Sequence, residues 1–354
     1  MCAELRSATR PRRGQRGLSI IEVMVGMVVA LLVGLAASGG AAVFTASQRQ
    51  GVGAGGMTVN SATALSAIKN DAATAGLGFF GDSAFLCYTL DLSVGAAVKL
   101  DAASFAPVRI GSSGVSDQLD VVSASNVDSG ANVLLSGNSS GASAAVKSRL
   151  PAAVGQAVLL APATAGNTCM VRSVTAVTAA TDTTPQSLSF GSTGDHNGAA
   201  FAAAASFVDK DRVALLGTLQ WSRYRVSGTN LLLERPLGNQ SATLVRNVMA
   251  FRAQYGISAS AADTTLTGWQ DATGATWGTL AGANVERVRA LRIGLLTRSP
   301  QREKEDKNGN CTATTSLPRD PLDASKTVTP DVTDWQCYRY RSSVAVVPLR
   351  NLAW

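Results

Sequence analysis

The sequence predicts an α+β protein in which a long N-terminal helix precedes a mainly antiparallel β-sheet domain. Residues 23–48 contain no Asp, Glu, Lys or Arg, and residues 57–75 repeat apolar side chains at a helical interval. From about residue 82, short runs rich in β-branched side chains alternate with clusters of Gly, Ser and Asn. These observations place one long helix before a set of short strands.

The helix follows a basic leader. Residues 1–17 carry five arginines and one acid, Glu4, which is typical of a segment that stays on the cytoplasmic side of a membrane. The uncharged residues 23–48 would form a helix of about 39 Å at ~1.5 Å per residue, and a bilayer core is about 30 Å thick. We therefore expect residues 18–48 to form a single membrane-spanning helix.

Two alternatives for this segment are a cleaved signal peptide and an uncleaved anchor of no particular family. Small residues in 36–42 offer cleavage sites, but the apolar region of a signal peptide is usually about 7–15 residues long. A signal peptide also has no use for Glu22, because a carboxylate costs roughly 2.5–3.5 kcal/mol at the centre of a bilayer-spanning helix. Glu22 therefore indicates a partner for its charge.

Residues 17–22, Gly-Leu-Ser-Ile-Ile-Glu, resemble the processing site of type IV pilins and type II secretion pseudopilins. The resemblance implies that a prepilin peptidase cuts after Gly17 and methylates the new N-terminal residue, Leu18. It also implies that Glu22 pairs with the N-terminal ammonium of a neighbouring subunit, which would set the register in a bundle of apolar helices. The alternative is a carboxylate that snorkels to the membrane interface.

The second half of the helix is expected to be amphipathic. Four glycines in 51–56 should kink or melt the helix, because each costs about 1 kcal/mol relative to Ala. Residues 49–81 are predicted to continue the helix and pack on the sheet, with Gly76 as its C-terminal cap. The predicted buried face contains Met57, Ala64, Leu65, Ile68, Ala72 and Ala75.

The remaining chain, residues 82–354, is predicted to form one β-rich domain. The clearest hairpin joins 219–226 to 231–235 through the turn Ser-Gly-Thr-Asn. The other predicted strand segments are 119–123, 132–135, 157–160, 171–177, 187–190, 212–217, 241–256, 285–298 and 338–349.

The C-terminal blocks resemble those of the PilW family of minor pilins. They include Arg-Asn-Val-x-x-Phe-x-x-Gln-Tyr-Gly at 246–256 and Val-x-x-Val-Arg-Ala-Leu-Arg-Ile at 285–293. With residues 16–81, the likeness extends over 210–352. It implies a type IV pilin-like fold anchored in the inner membrane, with a periplasmic domain. It also implies a place in the pilus tip complex that primes assembly, in contact with other minor pilins and the major pilin.

Four cysteines remain after the leader, with Cys2, is removed. An even number in an exported domain suggests two disulfides, and four cysteines allow three pairings. We favour Cys87 with Cys169 and Cys311 with Cys337, because the second pair would close the most loop-like segment.

The composition argues against nucleic-acid binding and against catalysis. The net charge is +7, and loss of the leader reduces it to +7 − 4 = +3, so much of the basic character is a topology signal. The one histidine, His196, is expected in a solvated loop, and no nucleophile motif accompanies it. We expect Arg287, Arg289 and Arg292 to face solvent.

We expect no enzyme activity, cofactor or metal. Residues 306–310, Asp-Lys-Asn-Gly-Asn, lack the glycine spacing and the closing glutamate of a calcium loop. The rival functions are a type II secretion minor pseudopilin, a surface adhesin subunit and an exported enzyme.

Overall fold

The computed structural model describes residues 19–79, 87–113, 116–125, 132–164, 167–203 and 206–352. Contacts divide the chain into two compact units, with the boundary between Val52 and Gly53. Helix α1 (Ile20–Ala73) begins in the first unit and ends in the second, which contains all the described strands. The predicted class, an N-terminal apolar helix followed by a mostly antiparallel sheet domain, is confirmed.

Helix α1 is not interrupted at its glycines. Residues 51–56 are helical, so the expected melting there is wrong. A Cβ on Gly53 would lie 3.6 Å from Ser299 Cβ, and a Cβ on Gly56 would lie 3.5 Å from Pro300 Cγ. These two glycines therefore pack against the segment at 299–300, and tertiary contacts outweigh their low helix propensity.

The predicted amphipathic face of α1 is confirmed. Met57, Ala64, Ile68 and Ala72 are buried in the second unit. Leu65 is the exception, because it is only half-buried. Spacing of four and seven residues puts the buried side chains on one side of the helix, where they cover the sheet.

The helix ends at a turn that requires glycine. Gly76 has φ +78°, the left-handed conformation expected of a C-terminal glycine, and its N–H donates to the Val122 carbonyl of the sheet domain at 2.9 Å. Gly78 has φ +82°, and a Cβ there would lie 3.0 Å from Leu216 Cδ2. The backbone thus approaches the sheet more closely than a larger residue permits.

The second unit contains eighteen described strands. They are β1 (Thr89–Val94), β2 (Ala97–Ser104), β3 (Val108–Ser113), β4 (Ser116–Ala124), β5 (Asn132–Leu134), β6 (Ser143–Val146), β7 (Ala157–Ala161), β8 (Cys169–Ser173), β9 (Ala176–Thr178), β10 (Gln186–Ser189), β11 (Arg212–Gly217), β12 (Leu219–Ser227), β13 (Asn230–Arg235), β14 (Gln240–Arg246), β15 (Val248–Ile257), β16 (Gly268–Asp271), β17 (Val288–Arg298) and β18 (Tyr340–Pro348). Among the described residues there are also a short helix, α2 (Gly274–Trp277), and three 3-10 segments, Gly282–Arg287, Trp335–Cys337 and Arg350–Leu352.

These strands form four sheets. Their orders are β2-β1-β8-β7-β11-β5, β6-β10-β9, β14-β13-β12-β4-β3 and β16-β15-β17-β18. The described pairs are antiparallel except β1 with β8, which is parallel. A large core joins α1 to the first, third and fourth sheets, and a second core lies between the first sheet and the sheet β6-β10-β9.

The strand predictions are partly confirmed. Strand β11 coincides with the predicted segment 212–217, and the hairpin β12–β13 lies where its turn signal indicated. The segment 241–256 is two strands, because Asn247 has φ +61° and breaks the ladder. The segment 171–177 is likewise divided between β8 and β9. Strands β1, β2, β3, β6 and β16 were not predicted.

Candidate assembly site and polar contacts

The first turn of helix α1 contains a capping box. Ser19 Oγ accepts the Ile21 N–H at 3.3 Å, and Glu22 Oε2 accepts the Ser19 N–H at 3.1 Å. The two side chains satisfy N–H groups that lack intrahelical partners, and the carboxylate lies at the positive end of the helix dipole. Glu22 therefore has a local structural role. The Ser-x-x-Glu spacing signals this role in the sequence, but our sequence reasoning missed it.

The helix that follows is apolar and exposed. Ile20–Ala41 is long and apolar enough to cross a membrane, with a mean hydropathy of 2.6. Its large side chains are accessible along the whole segment, with Met24, Leu31 and Leu35 each more than 60% exposed. An exposed apolar surface of this length requires lipid or other helices as its surroundings.

The predicted processing site falls mainly outside the described residues. Gly17 and Leu18 both lie there, so cleavage and methylation remain predictions. Ser19 and Glu22 are described, and they place the carboxylate beside the first amide after Leu18.

The domain contains two disulfides, the same pairs that the sequence favoured. Cys87 bonds to Cys169 with a Cα–Cα distance of 5.6 Å, and this bond lies beside the parallel pair of β1 and β8. Cys311 bonds to Cys337 with a Cα–Cα distance of 4.7 Å and closes the long connection between β17 and β18. The first bond fastens the segment just before β1 to the start of β8, and the second restrains a connection with little regular structure.

One group of potential metal ligands brings Glu305 close to Cys311 and Cys337. Both sulfurs are already bonded to each other, so they are not thiolate ligands. The group therefore offers a single carboxylate, which does not make a metal site.

His196 is buried, so the expectation of a solvated histidine is wrong. Its Nδ1 donates to the Ser93 carbonyl at 2.7 Å, and its backbone N–H donates to Ser173 Oγ at 3.1 Å. The adjacent Asn197 exchanges two hydrogen bonds with the Ser173 backbone, at 2.9 and 2.8 Å. His196 thus fastens a loop to strands β1 and β8.

The arginines of β17 and the segment before it are also less exposed than predicted. Arg289 is buried, and its Nε donates to the Asp263 carbonyl at 3.0 Å. Arg287 and Arg292 are half-buried, and their guanidinium groups lie over the rings of Trp277 and Trp269, at 5.3 and 5.9 Å. These side chains hold loops against the sheet.

Two buried tyrosines connect separate elements of the core. The Tyr224 hydroxyl donates to Asp71 Oδ2 at 2.6 Å and so ties β12 to helix α1. The Tyr255 hydroxyl accepts the Ile110 N–H at 2.6 Å and so ties β15 to β3. Burial is the main cause that raises the pKa of both hydroxyls.

A polar cluster lies on the outer side of the fourth sheet. Arg252 bridges Asp117 at 3.2 Å and Asp320 at 2.7 Å. Asp117 also accepts the Ala253 N–H at 2.8 Å, yet burial raises the pKa of its carboxyl. These carboxylates already have partners, so the cluster joins β4, β15 and a loop rather than forming a catalytic pair.

Two family models match parts of the chain. Residues 207–351 match the family described as Type IV Pilus-assembly protein W, and residues 12–38 match the prokaryotic N-terminal methylation motif. Among solved structures, a type IV-like pilin from Thermus thermophilus is similar, with a TM-score of 0.34 and 12% sequence identity. That alignment covers 83% of this chain and 96% of the other. No curated protein matches the chain.

The methylation motif, the apolar helix and the antiparallel sheet domain define a type IV pilin-like structural subunit. The match over 207–351 then narrows this class, because that part of the chain is similar to the family described as Type IV Pilus-assembly protein W.

Proposed function

We propose that the chain is a minor pilin of the tip complex that primes assembly of the type IV pilus. The observation that carries this proposal is the presence, in one chain, of a PilW region and a methylation motif. The PilW match also favours the pilus over type II secretion. A domain as large as 82–354 fits poorly into the repeated positions of a filament, which favours the tip.

The proposed layout follows from the helix. Residues 1–17 form a leader that prepilin peptidase removes, and 18–48 span the inner membrane. The segment 49–81, predicted to continue the helix, does so only as far as Ala73 and then turns at Gly76 and Gly78. Residues 82–354 form the periplasmic domain. Both disulfides lie in that last segment, in keeping with an oxidising compartment.

The proposed assembly contact uses the charge at the first turn. Cleavage after Gly17 gives Leu18 a free ammonium, and the capping box holds the Glu22 carboxylate at the same end of the helix. In a bundle of such helices, the Glu22 of one subunit would meet the ammonium of the next. Pairing would relieve the cost of two charges in an apolar medium and would fix the helix register.

Mass spectrometry of the mature N-terminus tests the processing step. We expect N-methyl-Leu18 in protein purified from a strain with prepilin peptidase. The full leader should remain in a strain without that enzyme. An N-terminus within 36–42 would instead identify a signal peptide, and it would refute the assignment of residues 18–48 as a retained helix.

A pair of variants separates assembly from helix capping. Glu22→Ala should leave membrane insertion intact but strongly reduce recovery of the chain with other pilins and the number of pili. Ser19→Ala is the matched control, because it removes the capping hydroxyl and keeps the carboxylate. It should cost about 1 kcal/mol of helix stability and leave pili near wild type. Equal losses of pili in both variants would show that Glu22 acts only as a capping residue.

A deletion strain separates the remaining functions. A tip subunit predicts few pili, a type II pseudopilin predicts normal pili with lost secretion, and an adhesin predicts normal pili that no longer attach. Only the first outcome agrees with the proposal.

A further inference from the structure

Strand β18 is an outer strand of the sheet β16-β15-β17-β18, and its pairing with β17 is regular. The Ser299 N–H donates to the Arg339 carbonyl at 2.8 Å, and the Leu349 N–H donates to the Arg289 carbonyl at 2.9 Å. No register shift separates these bonds. Because antiparallel residues alternate between bonded and non-bonded pairs, the odd-numbered residues of β18 bond to β17.

The even-numbered residues of β18 therefore present an unpaired edge. The N–H and C=O groups of Ser342, Val344 and Val346 point away from β17, and within the described parts of the chain no hydrogen bond reaches them. Pro348 has no N–H and ends this edge. Such an edge is a template for a strand of another chain.

The outer face of the edge is apolar. Val344 is 46% exposed and Val346 is 50% exposed, on the side of the sheet that faces away from α1. An added strand could cover both side chains with its own outward-facing residues, since opposite residues in a sheet lie about 4.5–5.5 Å apart.

The inner face offers room for the alternate side chains. A groove of about 300 Å³ lies where α1 extends beside the edge, lined by Leu65, Ser66 and Lys69 of the helix and by Ala345 of β18. Leu65 is half-buried there, although its spacing predicts burial. A strand beside β18 would close this groove and bury Leu65 further.

The groove is basic at both ends. Lys69 lines one end, and Arg341 at the other donates to Thr58 Oγ1 at 2.8 Å. Both side chains are exposed, and within the described residues neither forms an ion pair. The helix between Thr58 and Lys69 rises about 16 Å, and a strand of five residues spans about 17 Å.

We propose that the β18 edge binds an extended segment of another polypeptide as an additional strand. The segment would carry apolar side chains beside Val344 and Val346, and acidic side chains that face Lys69 and Arg341. A second copy of β18 is disfavoured, because its pairing would bring like charges together. The proposal rests on the domain alone and is independent of the position in the pilus tip.

A tethered probe tests the edge in the full chain in detergent. The probe is the sequence Asp-Val-Ala-Val-Asp, added after Trp354 through a flexible Gly-Ser linker. Its symmetry allows either strand direction, and tethering gives it a millimolar effective concentration. The control probe is Lys-Val-Ala-Val-Lys. We expect the amides of Val344 and Val346 to exchange about tenfold more slowly with the acidic probe than with the basic one.

Two variants make the result specific. Val344→Pro removes an outward N–H without removing a bond to β17, and it should abolish the protection of Val346 while leaving the fold intact. The double change Lys69→Glu and Arg341→Glu should transfer the protection from the acidic probe to the basic one. This second variant keeps the test valid if the proline disturbs folding.

Three results would overturn the proposal. Equal amide exchange with both probes would show that the edge does not prefer an acidic partner. Slow exchange of Val344 in the chain without a probe, independent of concentration, would show an edge that is already covered. Protection that grows with protein concentration would assign the edge to a second copy instead.

Discussion

Replacement of Tyr255 by Phe should destabilise the domain through a single buried amide. The Tyr255 hydroxyl accepts the Ile110 N–H, and Ile110 is 1% exposed, so water cannot replace the acceptor. The ring is retained, and no large cavity forms. An unsatisfied buried N–H costs roughly 1–3 kcal/mol. Because Ile110 is fully buried, we expect a loss of stability in the upper half of this range, about 2–3 kcal/mol.

Tyr224→Phe is the matched comparison, because it also removes one buried hydroxyl. Its partner is the Asp71 carboxylate, whose side chain is 19% exposed and which stays 3.6 Å from Arg235. Water and Arg235 remain available to that carboxylate. The loss should therefore be that of an ordinary hydrogen bond, about 1–1.5 kcal/mol, rather than that of a bond to an isolated buried charge.

Thermal unfolding of the full chain in detergent measures both losses. All five tryptophans follow residue 220, so their fluorescence reports on the β-sheet domain. At about 2 °C per kcal/mol for a domain of this size, Tm should fall by about 4–6 °C for Tyr255→Phe and about 2–3 °C for Tyr224→Phe. An equal or smaller fall for Tyr255→Phe would refute the assignment of the Ile110 amide as the cause.

Two further predictions concern pH and the disulfides. Burial raises the pKa of Tyr255 above its ordinary value of 10.0, so above that pH the folded state holds a proton that the unfolded chain loses. The stability that Tyr255 contributes should therefore be fully present below about pH 10 and fall as the pH rises further. In alkaline unfolding curves, the difference in stability between wild type and Tyr255→Phe should narrow. A stability difference that widens as the pH rises would contradict this prediction. Loss of the Cys311–Cys337 bond, with a sequence separation of 26, should cost about 3.5 kcal/mol, against about 4.5 kcal/mol for Cys87–Cys169 with a separation of 82. Urea unfolding of the two double-serine variants gives the comparison, and the reverse order would show that loop length does not dominate.

The elements that could be predicted from the sequence are those determined by residues that are close together in the chain. The buried face of α1 follows from helical spacing, since Ala64, Ile68 and Ala72 lie where the period puts them. The hairpin of β12 and β13 follows from its turn residues. Strands β2 and β16 were missed because they contain many polar and small residues and are outer strands, so burial does not impose an apolar alternation on them.

Contacts between distant residues could not be predicted from one sequence. Arg252 lies in a recognisable block, but its carboxylate partners are Asp117 and Asp320, which are 135 and 68 residues away. His196 has a loop-like local sequence, and only the approach of β1 and β8 buries it. In both cases the tertiary fold, not local composition, determines exposure and partners.

The capping box changes the energetic account of Glu22. A carboxylate in an apolar helix would gain the whole value of an ion pair on assembly if it had no partner beforehand. Here it already accepts the Ser19 N–H and lies at the positive end of the helix dipole. In the proposed assembly contact, pairing would therefore be an exchange of partners, and its driving force would be the difference between a capping bond and an ion pair in lipid. That smaller difference would favour reversible insertion of subunits, while the requirement for a charged partner would still exclude helices out of register.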